Sequence, residues 1–373
     1  MKYYIIAGEA SGDLHGSNLI KGLKKADNEA QIQAWGGDLM EESGAVLRKH
    51  YRDLAFMGFV EVVKNIRTIS KNIDFCKKDI EAFQPDVVIF IDYPGFNLRI
   101  AKWAKSKGFR TFYYISPQIW AWHTSRVHGI KATVDKMFCI LPFEKAFYKE
   151  YGYEVDYVGH PLLDVTEHIQ KEANFKAENQ LSEKPIIAIL CGSRKQEVSA
   201  MLPTMLSIIP SFLDYQFIIA GAQSIPDSVY DEILRDSPFF NKMDVKIIKN
   251  KTHQLLKNAT AALVKSGTST LEAALIGVPQ VVCYKGNALS YAIAKRVVKV
   301  KYISLVNLIA DKPIIKELIQ GDFNKKNLIL ELSKAIENQA VIKKEYEDFR
   351  QLLGSIGASD RAAELMFRYL KVE

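Results

Sequence analysis

Leu263-Val264-Lys265-Ser266-Gly267-Thr268-Ser269-Thr270-Leu271-Glu272-Ala273-Ala274, followed by Gly277-Val278-Pro279, decides how the chain folds. An apolar run gives a short strand, Ser-Gly-Thr makes a tight turn, and the next residues carry the composition of a helix. Gly277 then ends that helix and Pro279 leads into another strand-like run. Such a unit points the free N–H groups of a helix start toward the carboxyl edge of a parallel sheet, where a pyrophosphate can bind. Glu272 falls one turn further in, on the face of Thr268 and Ser269, within reach of ribose hydroxyls or exposed as an ordinary helix charge.

Outward from that unit, β-branched and aromatic runs alternate with helical stretches, the pattern of βαβ units. In the second half, strands are expected at 186–190, 216–220, 245–248, 261–264 and 280–283. In the first half they are expected at 3–7, 31–35, 86–91, 111–115, 136–140 and, more briefly, 155–158. A charged, apolar-poor stretch separates the two series. The fold class is therefore α/β, with two Rossmann-like lobes around a central cleft and a C-terminal helical segment. The expected division is a first lobe at 1–167, a linker at 168–184, a second lobe at 185–350, and a helix at 351–373 that packs back on the first lobe.

Composition narrows the function. Across 373 residues, hydrophobic side chains make up 48% and charged ones 25%, ordinary globular usage with core enough for two lobes. The net charge of +7 suits anionic partners, yet no RNA- or DNA-binding module and no dense basic run appears, so no nucleic acid is expected. The four cysteines lie far apart and read as buried free thiols, and the histidines lack metal-site spacing, so neither a metal nor a cofactor is expected. The opening strand is too short for a signal peptide, which places the expected protein in the cytoplasm.

Several strand ends carry chemistry. Gly8-Glu9-Ala10-Ser11-Gly12-Asp13 follows the first strand and opens a helix; it either binds an anion or sugar hydroxyl, or is a plain turn capped by Ser11 or Asp13. Asp92 ends the apolar run Val87-Val88-Ile89-Phe90-Ile91, placed to act as a general base or to cap the next helix. The segment Ser116-Pro117-Gln118-Ile119-Trp120-Ala121-Trp122 offers indoles that suit a sugar or acyl platform as well as core packing. Cys191-Gly192-Ser193-Arg194 follows the strand at 186–190 and reads as a diphosphate cradle or as a surface arginine after a turn.

At these residues the chain resembles the two-lobed (GT-B type) UDP-sugar glycosyltransferases, and within them the lipid-A-disaccharide synthase family, glycosyltransferase family 19. The resemblance runs through the motifs above and through Met57-Gly58-Phe59-Val60-Glu61-Val62, Ile91-Asp92-Tyr93-Pro94-Gly95-Phe96-Asn97, Leu141-Pro142-Phe143-Glu144, Gly159-His160-Pro161 and Tyr302-Ile303-Ser304-Leu305-Val306-Asn307-Leu308. It implies transfer of 2,3-diacylglucosamine from UDP to the 6-hydroxyl of 2,3-diacylglucosamine 1-phosphate, with inversion and without a metal. Asp92 matches the family's base. The resemblance makes 1–167 the acceptor- and acyl-binding lobe and 185–350 the UDP-sugar-binding lobe, where Ser193, Arg194, Ser266, Gly267, Thr268, Glu272 and Asn307 would hold UDP. Glu9, Ser11, Gly12, Asp13, Asn97, Trp120 and His160 would meet the acceptor.

The chain departs from the family where Gly95 replaces an acidic residue and Cys191 replaces a proline. Scaffold-sharing alternatives are a UDP-N-acetylglucosamine 2-epimerase, another UDP-sugar transferase, and a non-catalytic nucleotide-sugar or lipid-binding protein.

Acylated substrates imply an anionic membrane surface as partner and a peripheral position on the inner face of the cytoplasmic membrane. Met57, Phe59, Val62, Val63 and Ile66 are the candidate contacts. Phe59, Val62, Val63 and Ile66 share a helical face, which serves either the bilayer interface or the cover of a sheet. Oligomerisation is left open.

Overall fold

The computed structural model describes residues 1–53, 66–167, 169–237, 245–287, 291 and 300–372. The chain divides into two compact units, Met1–Asp164 with Ser355–Glu373, and Val165–Gly354.

The first unit holds a seven-stranded parallel sheet: β1 (Lys2–Ala7), β2 (Gln31–Gly36), β3 (Val46–His50), β4 (Val87–Ile91), β5 (Thr111–Tyr114), β6 (Lys136–Cys139) and β7 (Asp156–Tyr157). Their order is β3-β2-β1-β4-β5-β6-β7. Central strands such as Val-Val-Ile-Phe-Ile are buried on both faces, so they read as continuous apolar runs. Alternation still sorts their side chains. Tyr3, Ile5, Val87 and Ile89 pack with Leu19, Leu23, Ala362 and Met366, from the helices Ala10–Ala26 and Ala358–Val372. Tyr4, Ile6, Val88 and Phe90 pack with Ile80, Ile100, Ala101 and Ile130 on the other face. A Cβ on Gly22 would lie 2.9 Å from Ala363 Cβ, so glycine is what lets the Ala10–Ala26 and Ala358–Val372 helices approach so closely.

The second unit repeats the plan with β8 (Ile186–Leu190), β9 (Gln216–Gly221), β10 (Val245–Lys249), β11 (Ala259–Lys265), β12 (Gln280–Tyr284) and β13 (Lys316–Ile319). These are ordered β10-β9-β8-β11-β12-β13, all parallel. Ile187, Ile189, Phe217, Leu263 and Val281 pack with Met201, Met205, Leu328 and Leu332 on one face. Ile186, Ala188, Ile218 and Val264 pack with Leu255, Leu256 and Ala273 on the other.

Three expectations change. Residues 169–184 are not a free linker: Phe175 is fully buried in the second unit's core, and Gln216 binds the main chain of Ser182 and Lys184. One buried aromatic outweighs a polar composition. The edge strands β3 and β13 were not anticipated, because Val-Leu-Arg-Lys-His and Lys-Glu-Leu-Ile carry the charges an edge tolerates and lack an apolar run. The compact units meet the chain at Asp164 and Ser355, a few residues from the expected 167 and 351. All four cysteines are buried free thiols.

Candidate active site and nucleotide site

In a doubly wound sheet, ligands gather where the strand order reverses, beyond the carboxyl ends of the two strands that flank the reversal. In the first unit that point lies between β1 and β4, paired through Ala7 and Ile91. Glu9 follows the first strand by two residues and Asp92 follows the second by one. Burial and then the Glu9 carboxylate push the Asp92 carboxyl up to about 6, against a Tyr93 N–H that favours its charged form. A base that keeps its proton until near neutrality is matched to removing one from an alcohol.

Asp92 and Tyr93 both adopt left-handed backbone, φ +43 and +49. Such strain persists only where neighbours over-determine it. Asp92 N–H donates to the Tyr114 carbonyl at 3.2 Å, and the Asp92 carbonyl accepts Tyr113 Oη at 2.5 Å and Asn97 Nδ2 at 2.7 Å. The Tyr93 ring covers Gly8, where a Cβ would lie 2.3 Å from ring carbon, so glycine is required by close approach. Gly95 is exposed with nothing within 4 Å of a built Cβ, leaving room for the larger residue it replaces.

Other expected acceptor residues separate into exposed and structural groups. Ser11 is exposed in the first helical turn beside Glu9. Gly12 is buried against Ala7, with a built Cβ 3.0 Å from the alanine's, and serves helix packing. Asp13 is buried and accepts the N–H groups of Gly37, Leu39 and Met40 at 2.8, 3.2 and 3.1 Å, so it anchors the start of the helix Asp38–Glu42. Asn97 is wholly buried and holds main-chain carbonyls of Ile91 and Asp92, which makes it a positioning residue with no open surface. His160 is buried, accepts Leu162 N–H at 3.2 Å, and is kept neutral: burial and then His15 push its pKa down to about 3.

Trp120 is partly buried, edge-on to Phe143 at 4.9 Å, with its indole N–H donated to Glu144 Oε1 at 3.3 Å. The open indole is Trp122, half exposed, with the Arg126 guanidinium over its ring. Glu144 closes the motif Leu141-Pro142-Phe143-Glu144. It is buried, takes the N–H groups of Ile140 and Leu141 as well, and is pushed up to about 7 by burial. Of the membrane candidates, Met57, Phe59, Val62 and Val63 lie outside the described residues; Ile66 begins the helix Ile66–Phe83. No helix among the described residues is long and apolar enough to cross a membrane.

The second unit reverses its order between β8 and β11, paired through Leu190 and Val264. Beyond those ends lies a cavity of about 360 Å³, lined by Gly192, Ser193, Arg194, Glu197, Lys265, Gly267, Thr268 and Ser269 among others. The helix Thr268–Ile276 starts at Gly267 with no side-chain cap, and Gly277 in left-handed conformation ends it. The Arg194 side chain is 62% exposed. Ser266 Oγ donates to the Ile303 carbonyl at 2.8 Å, tying the turn to the chain before β13. Glu272 Oε1 lies 3.3 Å from His253 Nε2.

Asn307 does not open to this cavity. It is buried, bridging Ile315 main chain and Glu317 with all its amide atoms. Cys191, the proline replacement, is buried in the core, and burial lifts its thiol to about 12. Glu197 and Lys265, to which the sequence assigned no role, also line the cavity; nothing in a linear pattern marks an ion pair between elements.

Two open parallel sheets with polar groups at both reversal points define a two-unit α/β fold of the nucleotide-sugar glycosyltransferase type. The solved UDP-GlcNAc 2-epimerase of Methanocaldococcus jannaschii, in complex with UDP-GlcNAc and UDP, shares it at TM-score 0.67 and 16% identity, covering 99% of this chain and 100% of that one. The glycosyltransferase of kitacinnamycin shares it at TM-score 0.66 and 13% identity, covering 98% of each chain. Residues 3–367 match the family model described as lipid-A-disaccharide synthetase. The lipid-A-disaccharide synthase of Syntrophus aciditrophicus (strain SB) is 37% identical over 98% of this chain and 97% of its own length. The chain belongs to the lipid-A-disaccharide synthetase family and is a glycosyltransferase.

Proposed function

We propose that the protein transfers 2,3-diacylglucosamine from UDP to the 6-hydroxyl of 2,3-diacylglucosamine 1-phosphate, with inversion, yielding the lipid A disaccharide and UDP. The observation that carries the reaction is Asp92, its carboxyl lifted to about 6 at the reversal point of the first sheet. Asp92 takes the proton of the acceptor hydroxyl as its oxygen attacks the anomeric carbon from the side opposite UDP. Glu9, whose carboxylate acts on that base, is a candidate for sugar contact, as are the exposed Ser11 and the half-exposed Trp122 of the same unit.

Charge that develops on the departing diphosphate is met by Arg194, by main-chain N–H groups near Ser193, and by the uncapped helix start at Thr268. Glu272, one turn further in, accepts from ribose hydroxyls. Acylated substrates are drawn from an anionic bilayer on the inner face of the cytoplasmic membrane, through the stretch that includes Met57, Phe59, Val62, Val63 and Ile66.

The test compares acceptors. The purified protein is given UDP-2,3-diacylglucosamine with either the acylated acceptor or its deacylated counterpart, and the disaccharide is followed by mass spectrometry. Product with the acylated acceptor alone supports the reading. UDP-sugar epimerised without an acceptor would overturn it.

A further inference from the structure

The cavity beyond β8 and β11 contains an ion pair in addition to Arg194 and the helix start at Thr268. Lys265 is the last residue of β11, and its Nζ lies 2.9 Å from Glu197 Oε1. Glu197 also accepts Ser193 N–H at 3.2 Å and lies 3.9 Å from Arg194 Nη1. Gly192 adopts φ +114, and a Cβ there would stand 2.6 Å from Glu197 Oε2, so the carboxylate is seated directly over the turn. Burial pushes the Glu197 carboxyl up, but Lys265, Ser193 N–H and Arg194 more than offset it and leave it below its ordinary value. Around this carboxylate stand two cations, giving the rim a net charge of one positive from Arg194, Lys265 and Glu197.

The two cations differ in exposure. The Arg194 side chain is 62% exposed, whereas Lys265 is 24% exposed and tethered. A tethered ammonium costs little reorganisation when charge develops beside it. Its β11 position sets it one residue before Ser266 and three before the uncapped helix start at Thr268.

We propose that Lys265 is a second diphosphate-binding cation of the nucleotide site, and that Glu197 is the positioning residue that holds it on the cavity floor. The inference rests on the reading that UDP binds in this unit. Lys265 acts on the diphosphate and not on the nucleoside, so it discriminates UDP from uridine.

Calorimetry with UDP and with uridine tests this on the full chain. Lys265→Met should weaken UDP by about 10–100-fold, the span of a lost charge-assisted hydrogen bond, and leave uridine unchanged. Lys265→Arg, which keeps the charge, should stay within a few-fold of the parent. In a Glu197→Gln background the Lys265→Met penalty should shrink, because the ammonium is no longer held. If Arg194→Ala weakens UDP while Lys265→Met does not, the inference fails and the nucleotide site stands. If neither weakens UDP, the nucleotide site itself is misplaced and the inference falls with it. Equal losses for UDP and uridine would make the pair purely structural, and an undiminished penalty in Glu197→Gln would remove the positioning role.

Discussion

Asn97 Nδ2 holds the Asp92 carbonyl oxygen at 2.7 Å from a site with no exposure to solvent. The amide comes from the helix Pro94–Ser106, five residues beyond the carboxylate it steadies. It closes the turn between β4 and that helix and fixes the left-handed backbone that aims the Asp92 side chain.

Asn97→Ala leaves buried carbonyls without this donor and should cost about 1–3 kcal/mol of stability. Turnover should fall by about a hundredfold through misplacement of the base, while UDP affinity is kept. Thermal melts, steady-state rates and calorimetry on one preparation separate these effects. Full turnover in a folded Asn97→Ala would remove the positioning role.

The acid limb of the pH–rate profile should report Asp92. With a carboxyl lifted to about 6 by burial and by Glu9, kcat/KM should fall tenfold per pH unit below that value. Glu9→Gln removes a negative charge that raises the Asp92 pKa, so the limb should move to lower pH. A limb that moves upward, or stays fixed, contradicts the coupling.

The same shift bears on stability. Because the folded Asp92 pKa lies above the unfolded value of about 3.9, the native state binds the proton more tightly. The stability this contributes is fully present below the unfolded value and is lost as pH rises through about 6. Asp92→Asn should therefore raise the melting temperature at pH 8 relative to the parent and change it less at pH 4.

The sheets were legible because β4 and β8 are apolar on both faces and end at residues of a different character. The polar strand ends were legible for the same reason, since Asp92, Arg194 and Thr268 each stand just beyond such a run, whereas the strand order that makes them reversal points was not. Asp13, Asn97 and Asn307 were read as ligand contacts, and the structure engages them with main-chain groups. A polar side chain beside a strand end looks alike in both roles, and the partners that decide it lie elsewhere in the chain: Gly37 for Asp13, 24 residues on. Glu144 and Lys265, quoted within motifs, were given no role of their own because burial and ion pairing are tertiary facts. β3 and β13 escaped because charged edges carry no apolar period.

Membrane contact is tested at Val62, outside the described residues, and at Ile66, which begins the helix Ile66–Phe83. Val62→Ser with Ile66→Ser should reduce sedimentation with anionic liposomes and leave the melting temperature nearly unchanged. Early melting with liposome binding retained per folded molecule would assign the stripe to the core.

The most direct test of the account is release of UDP from UDP-2,3-diacylglucosamine by the parent protein and by Asp92→Asn, with and without 2,3-diacylglucosamine 1-phosphate. The parent should release UDP only when the acceptor is present. Asp92→Asn should lower that release by about two to four orders of magnitude with UDP affinity little changed. Acceptor-independent release by the parent, or near-normal turnover by Asp92→Asn, would contradict it.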